Sequence, residues 1–132
     1  MSFLADTNVV SELVKPAPNA GVLAWAASIE RVTLSVITLE EVAYGLAWRP
    51  NKRVTGWWLS FVRRRVDVAA VTASIANHSG ALRGRLAAGG QPRTQADMLI
   101  AATAAGHALT LVTRNTRDFA GCGVPVLDPF TS

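Results

Sequence analysis

The sequence predicts an α/β fold of three layers, α/β/α, in which helices cover both faces of a central, mainly parallel sheet of four to five strands. Short β-rich segments alternate with helical segments along the chain, which is typical of parallel sheets rather than of helix bundles or β-sandwiches. Of the 132 residues, 50% are hydrophobic, which is enough for one compact core and leaves little room for a second. We therefore expect a single domain over residues 1–132.

The first half of the chain is predicted to contain two strands and four helices. Apolar periodicity and prolines define them, because proline cannot continue a helix. The strands are segments 2–5 and 31–37, and the helices cover about 7–14, 20–28, 38–48 and 52–65. Pro16 and Pro18 follow the first helix, and Pro50 separates the last two.

The second half repeats the alternation and ends in two strands. A strand at 66–71 leads into a helix at about 72–88, which the loop "GGQPR" ends. A helix at 94–107 then precedes strands at 108–113 and 124–127. The part of that helix written "ADMLIAATAAG" is apolar on nearly every side, so we expect it to be buried against the sheet.

Charge and cysteine content narrow the function classes. The 13 Lys and Arg against 9 Asp and Glu give a net charge of +4, and this balance favours a polyanionic partner. Cys122 is the only cysteine, so an intramolecular disulfide is impossible and a structural thiol is expected. No apolar run approaches the roughly 20 residues of a membrane span. We expect a cytoplasmic protein that does not contact membranes.

Four acids stand at the ends of predicted strands or the starts of helices. Asp6 follows the first strand and Glu41 lies in the helix after the second. Asp97 opens the buried helix and Asp118 follows the strand at 108–113. Taken one at a time, each could be only a cap, because "TLEE", "TQAD" and "NTRD" all place an acid three residues after a hydroxyl or amide.

Taken together, the four acids are expected to meet at one edge of the sheet. All strands of a parallel sheet end on the same edge, and a helix that runs back to the next strand begins there too. Ligands bind to such sheets at this edge. Four converging carboxylates repel one another unless a cation neutralises them, and hard oxygen ligands suit Mg²⁺ or Mn²⁺. The sequence therefore predicts a divalent metal site.

Four ordered motifs resemble those of a known family. "FLADTNVVSEL", "SVITLEEVAYG", "ADMLIAATAAGHAL" and "LVTRNTRDF" are similar to the motifs of PIN-domain ribonucleases, in particular the VapC-type toxins of bacterial type II toxin–antitoxin systems. The resemblance spans nearly the whole chain and implies a PIN-like fold. It also implies an endoribonuclease that uses Mg²⁺ or Mn²⁺ to hydrolyse RNA phosphodiester bonds.

The resemblance carries over residue by residue. It assigns Asp6, Glu41, Asp97 and Asp118 to the catalytic and metal-binding positions, with Glu41 preferred to Glu40 because the glycine of "EVAYG" fixes the register. Small polar positions that orient the acids or the substrate match Thr7, Thr38, Thr113 and Asn115. The expected partners are RNA, a cognate antitoxin that supplies the DNA-binding domain, and a second copy of the chain in a homodimer.

Basic and aromatic side chains are the expected contacts of a polyanion. Arg93, Arg114 and Arg117 lie near the predicted acidic site and could contact RNA or the antitoxin. The run from Arg63 to Arg65 is expected to be a solvated helix end. The chain's four tryptophans could stack on bases, although core or subunit contacts are the commoner roles of such residues. They are Trp25, Trp48, Trp57 and Trp58.

Other functions fit the sequence less well. A haloacid-dehalogenase type of phosphoryl transferase needs a second acid where this chain has Asn8. A receiver module needs its acid at the end of a middle strand, and "VDVAAV" places Asp67 at the beginning of the predicted strand instead. No glycine-rich phosphate loop is present. The main alternative is a catalytically silent PIN-like module that binds nucleic acid or protein, but such a module is expected to lose an acid and all four are present.

Overall fold

A five-stranded parallel sheet forms the centre of the protein in the computed structural model, which describes residues 2–131. The strands are β1 (Phe3–Ala5), β2 (Val32–Ser35), β3 (Val66–Ala69), β4 (Thr110–Val112) and β5 (Val126–Leu127). Their order is β3-β2-β1-β4-β5, and every pairing is parallel. Leu4 of β1 is in register with both Thr33 and Leu111. The predicted parallel α/β architecture is confirmed.

Six α-helices connect the strands. They are α1 (Thr7–Leu13), α2 (Ala20–Ala27), α3 (Val36–Trp48), α4 (Lys52–Arg65), α5 (Ala73–Ala88) and α6 (Gln95–Gly106). Two short 3₁₀ helices follow at Thr116–Phe119 and Pro129–Thr131. The predicted strand at 31–37 is too long, because the Ser35 hydroxyl accepts a hydrogen bond from the Ile37 amide and starts α3 there.

The two faces of the sheet are covered by different helices. Leu4 and Leu111 pack with Met98 and Ile100 of α6 and with Leu82 of α5. Ala5, Leu34 and Val112 point to the opposite face, where they pack with residues of α1, α2 and α4. The predicted burial of α6 is confirmed, since six of its twelve residues are buried. Burial of one large aliphatic side chain contributes about 1.5–3 kcal/mol, so both faces stabilise the sheet.

The strand order reverses beside β1. The chain moves from β1 outward to β3 and then returns to the other side of β1 as β4. The Asp6 amide donates to the Val112 carbonyl at 2.9 Å, which ties the end of β1 to the end of β4. Open α/β sheets bind ligands at such a switch point.

Some sequence predictions are confirmed and others need correction. Asp67 lies within β3, and it is exposed and pairs with Arg31 at 2.9 Å. In the run from Arg63 to Arg65, the first two residues are exposed as expected. Arg65 is only partly exposed, because its guanidinium donates to the carbonyls of Ala26, Ile29 and Glu30 at the end of α2. The expected core role of the tryptophans is confirmed for Trp25 and Trp58, whereas Trp48 is 66% exposed. In the part of the chain that the structure describes, none of the helices has both the length and the apolar character to span a bilayer.

Candidate functional site

Asp6 is the most firmly held of the four acids. It is 5% exposed and is the N-cap of α1, where its Oδ1 accepts from the Thr7 amide at 2.8 Å. Its Oδ2 accepts from the Thr113 hydroxyl at 2.8 Å and from Asn8 Nδ2 at 2.9 Å. Both oxygens are therefore oriented by neighbours from α1 and from the end of β4.

Glu41 reaches the same site from α3. The Thr7 hydroxyl donates to Glu41 Oε1 at 2.7 Å and lies 3.0 Å from Thr38 Oγ1. The Thr7 hydroxyl has only one proton to donate, and the Glu41 carboxylate is a stronger acceptor than the Thr38 hydroxyl. The hydrogen bond between the two threonines is therefore donated by Thr38. Glu40 is exposed and makes no such contact. The alternative that Glu41 is only a helix cap does not hold, because Ser35 caps α3 and Glu41 lies beyond its first turn.

Asp97 combines a helix start with the site. The Thr94 hydroxyl accepts a hydrogen bond from the Asp97 amide at 3.1 Å, so the predicted cap of α6 is present. Burial raises the pKa of the Asp97 carboxyl, and the nearby charges of Asp118 and Glu41 raise it further. The backbone amide of Asp97 therefore takes part in the helix cap, and its carboxyl group interacts with the other acids.

The charges of the four acids act on one another. Burial raises the pKa of Asp6, the hydrogen bonds from Thr113 and Thr7 oppose this, and the charges of Asp97 and Glu41 add to the increase. Asp118 is exposed on the 3₁₀ helix at Thr116–Phe119, which the buried Phe119 anchors. The charges of Glu41 and Asp97 therefore act on Asp6, and those of Glu41 and Asp118 act on Asp97.

Thr113 connects the polar groups around Asp6. It is fully buried, and besides donating to Asp6 its hydroxyl accepts from Asn8 Nδ2 at 3.2 Å and from the Asn115 amide at 3.0 Å. Thr7, Thr38 and Thr113 are therefore joined by hydrogen bonds to Asp6, to Glu41 or to one another, and their role in orienting the acids or the substrate stays a prediction. Asn115 joins through its backbone, and its side chain makes no cap bond to the following helix.

Asn8 is a residue of the site that the sequence reasoning missed. Its Nδ2 donates to Asp6 and Thr113, and its Oδ1 accepts from the Arg114 amide at 3.2 Å. The signal was its position two residues after Asp6, on the same loop-to-helix junction. In the sequence, Asn8 served only as evidence against a phosphoryl transferase, which needs an acid at this position. A side-chain amide there can both donate and accept hydrogen bonds.

The three arginines near the site differ in role. Arg93 donates to the backbone carbonyls of Gln91, Pro92, Arg117 and Asp118, so it holds the Asp118 segment to the start of α6. The Arg114 guanidinium lies 4.8 Å from the centre of the Phe130 ring. Arg114 and Arg117 are exposed and, with Asp118, line a shallow cavity of about 310 Å³. Their contact with RNA or an antitoxin stays a prediction.

The donor set has the chemistry of a divalent cation site. Within residues 2–131, none of the four acids forms an ion pair with Lys or Arg, since the pairs there are Lys15–Glu12 and Arg31–Asp67. Over the same residues, no three acid, histidine or cysteine side chains lie close enough together, as they stand, to ligate one ion. Carboxylate oxygens fit Mg²⁺ or Mn²⁺, which keep several waters in their shell.

A groove leads away from the acids. A cavity of about 300 Å³ begins at Thr7 and Glu41 and continues between α1, α3 and α4. Valines and Leu46 form its apolar part, and Arg49, Asn51, Trp57 and Trp58 lie toward its α4 side. A ligand in this groove would contact the acidic site at one end and aromatic and basic groups at the other.

Known proteins share this sequence and fold. The chain is 36% identical to the VapC ribonuclease Y4jK of Sinorhizobium fredii over 138 residues, which cover 97% of both chains. A toxin–antitoxin complex from Klebsiella pneumoniae contains a chain with 32% identity and a TM-score of 0.74, and the match covers 97% of this chain and 98% of that one. The DNA-bound VapBC of Salmonella typhimurium matches with a TM-score of 0.84 and 28% identity over 98% of both chains.

The family model for the PIN domain matches residues 3–122. This range includes the whole acidic site and four of the five strands, and the resemblance of the four motifs extends over the same part of the sequence. The match, the relatives and the geometry of the site agree, and the chain belongs to the PIN domain family.

Proposed function

We propose that the protein is a metal-dependent endoribonuclease of a single domain and that it acts as the toxin of a toxin–antitoxin pair. The observation that carries this proposal is the electrostatic coupling of Asp6 with Glu41 and Asp97, and of Asp97 with Asp118, in a sheet whose strand order reverses beside β1. The similarity to a VapC ribonuclease and to a chain of a toxin–antitoxin complex supports the same activity and role.

In this proposal the four carboxylates hold Mg²⁺ or Mn²⁺, directly or through waters. When bound, the ion supplies the positive charge that activates a water molecule and stabilises the charge on the reacting phosphate. Asp6 and Asp97 must be ionised to serve, and burial, the main cause of their raised pKa values, opposes this ionisation, which a bound cation would favour. The exposed Asp118 orients water at the outer side of the site.

The neighbouring polar groups keep the acids in position. Thr113 and Asn8 fix Asp6 by hydrogen bonds to Oδ2, and Thr7 links Asp6 to Glu41, since its amide binds one acid and its hydroxyl the other. Such fixed groups reduce the reorganisation that the reaction requires. Arg114 and Arg117 would bind the RNA backbone, because a guanidinium matches the geometry of a phosphate.

The proposed partners follow from the same relatives. A toxin–antitoxin complex and a DNA-bound VapBC have chains of this fold, so we expect a cognate antitoxin that inhibits the enzyme and supplies the contact with DNA. We also expect a homodimer and a cytoplasmic location, where RNA substrates are found.

Cleavage of a mixed pool of structured and single-stranded RNAs tests the activity. Wild type, Asp97→Asn and Glu40→Gln would be compared with Mg²⁺, with Mn²⁺ and with a chelator. The Asp97→Asn variant keeps the backbone N–H that donates to the Thr94 hydroxyl, so its fold should persist. Glu40→Gln is the control, because Glu40 is an exposed acid outside the site. We expect metal-dependent cleavage that Asp97→Asn abolishes and Glu40→Gln retains.

Two outcomes contradict the proposal. Equal cleavage by wild type and Asp97→Asn would mean that the nuclease is a contaminant. RNA binding without cleavage at any concentration of either metal would identify a silent binding module of the same fold.

A further inference from the structure

Helix α3 carries an exposed aromatic pair beside the acidic site. Tyr44 is 62% exposed and Trp48 66% exposed, and their ring centroids lie 6.0 Å apart. The Arg49 guanidinium lies 4.7 Å from the centre of the Trp48 ring. Large aromatic side chains with so much free area are uncommon away from binding surfaces, and nothing in the acidic site uses them.

The pair is aligned with Glu41. Residues three, four and seven positions apart share one face of a helix, so Glu41, Tyr44 and Trp48 form a line. Trp48 is two turns from Glu41, about 10.5 Å along the helix axis. Gly45 lies between them on this face and lines the groove that begins at Glu41 and includes Arg49. The groove lining includes Arg49 but neither ring of the pair, so the pair borders the groove through the Arg49 guanidinium that lies against Trp48.

We propose that Tyr44, Trp48 and Arg49 form a base-stacking subsite for an unpaired nucleotide next to the cleaved phosphate. Unpaired bases stack on aromatic rings and on guanidinium planes, and both kinds of surface are present here. Arg49 also provides a positive charge for the RNA backbone, which the acids repel.

The composition of this helix face favours a flat ligand over an apolar protein. Between and beside the two rings, the exposed positions are Ala43, Gly45 and Ala47. The face has no large aliphatic side chains to fill the pocket of a partner, and a guanidinium already covers one side of the indole. A base needs only the exposed ring area and a nearby charge.

Binding of short RNAs in a chelator tests the subsite. The probes are fluorescently labelled oligouridylate and an abasic ribose-phosphate strand of equal length, and the readout is fluorescence anisotropy with the full chain. We expect Trp48→Leu to weaken oligouridylate binding about ten- to a hundredfold, as the loss of one stacked base does, and to leave binding of the abasic strand unchanged. Trp48→Phe should restore most of the affinity, because it keeps a ring.

Leu59→Ala is the matched control, since Leu59 is equally exposed, at 63%, on another helix. Equal losses on the two strands, or no loss on oligouridylate, would overturn the proposal. So would a change of oligomeric state in Trp48→Leu with RNA affinity intact, which would make this face a protein interface. Thermal melting checks that each variant is folded.

The subsite rests on the proposed function, since it takes Glu41 as part of a cleavage site. The binding assay needs no cleavage, so the two proposals can fail separately. A protein that requires Trp48 to bind bases but never cuts RNA would contradict only the nuclease. A metal-dependent nuclease whose base binding is indifferent to Trp48→Leu would contradict only the subsite.

Discussion

The two halves of the acidic site are built differently. In the Asp6 half, Asp6 and Thr113 are buried and Thr7, Asn8 and Glu41 are half-buried. Hydrogen bonds of 2.7–3.2 Å join these five residues. The other half is open to solvent. There Asp118 is exposed, and its neighbours Arg114, Asn115 and Arg117 are exposed too.

The difference indicates how the work of the site is divided. A buried, fully bonded carboxylate has a fixed position before any ligand arrives, and such preorganisation reduces the cost of reaching a charged transition state. An exposed segment can adapt to ligands of different shape, as binding segments on loops commonly do. We infer that the Asp6 half fixes the chemistry and that the Asp118 half adapts to the RNA.

The largest expected effect separates the two halves by activity. Asp6→Asn removes a fixed negative charge from the centre of the site, and we expect RNA cleavage to fall by about two orders of magnitude or more. Asp118→Asn removes an exposed charge and should reduce cleavage by a smaller factor. The measurement is kcat/KM on one RNA substrate at saturating Mg²⁺ or Mn²⁺.

Glu12→Gln is the control for Asp6→Asn. Glu12 is also a buried acid, 8% exposed, but its hydrogen-bond partners are Lys15 and the Asn19 amide and none of the groups bonded to Asp6. Its replacement should leave cleavage unchanged. If Asp118→Asn were as damaging as Asp6→Asn, the proposed division between the halves would be wrong.

The next effect concerns stability. Thr113→Val keeps the shape of a fully buried side chain but removes the hydroxyl that bonds to Asp6, Asn8 and the Asn115 amide. Buried groups left without partners cost about 1–3 kcal/mol, so the free energy of unfolding should decrease by that amount. Asn115→Ala, in the open half, should change it by less than about 0.5 kcal/mol. Urea unfolding measures both, and equal effects would contradict the comparison.

How far the sequence predicted the site also differs between its parts. The alternation of strands and helices predicted that Asp6, Glu41, Asp97 and Asp118 share one edge of the sheet, because parallel strands end on the same edge, and the mutual effects of these acids on the pKa values of Asp6 and Asp97 agree with that. The bond from Asn8 to Thr113 joins residues 105 positions apart, and it depends on the register of β1 against β4, which no local pattern encodes. The hydrogen bonds of Arg93 to the carbonyls of residues 117 and 118 also join distant parts of the chain, so no local pattern predicts them.

The smallest effect we predict is one of pH. The pKa of Asp97 is raised mainly by burial, so the unfolded chain loses this proton at a lower pH than the folded protein does. Stability from this group is complete below the ordinary pKa of 3.8 and is lost as the pH rises through the higher folded value. At neutral pH in a chelator, Asp97→Asn should therefore melt at a higher temperature than wild type. The pKa of Glu12 is lowered, first by its hydrogen bond with Lys15, so its contribution has the opposite sign, and Glu12→Gln should lower the melting temperature at neutral pH.

Saturating Mg²⁺ should reverse the order of Asp97→Asn and wild type, because only the intact acids gain from the cation. A lower melting temperature of Asp97→Asn in the chelator would mean that the helix cap at Thr94, and not repulsion among the acids, dominates at this position.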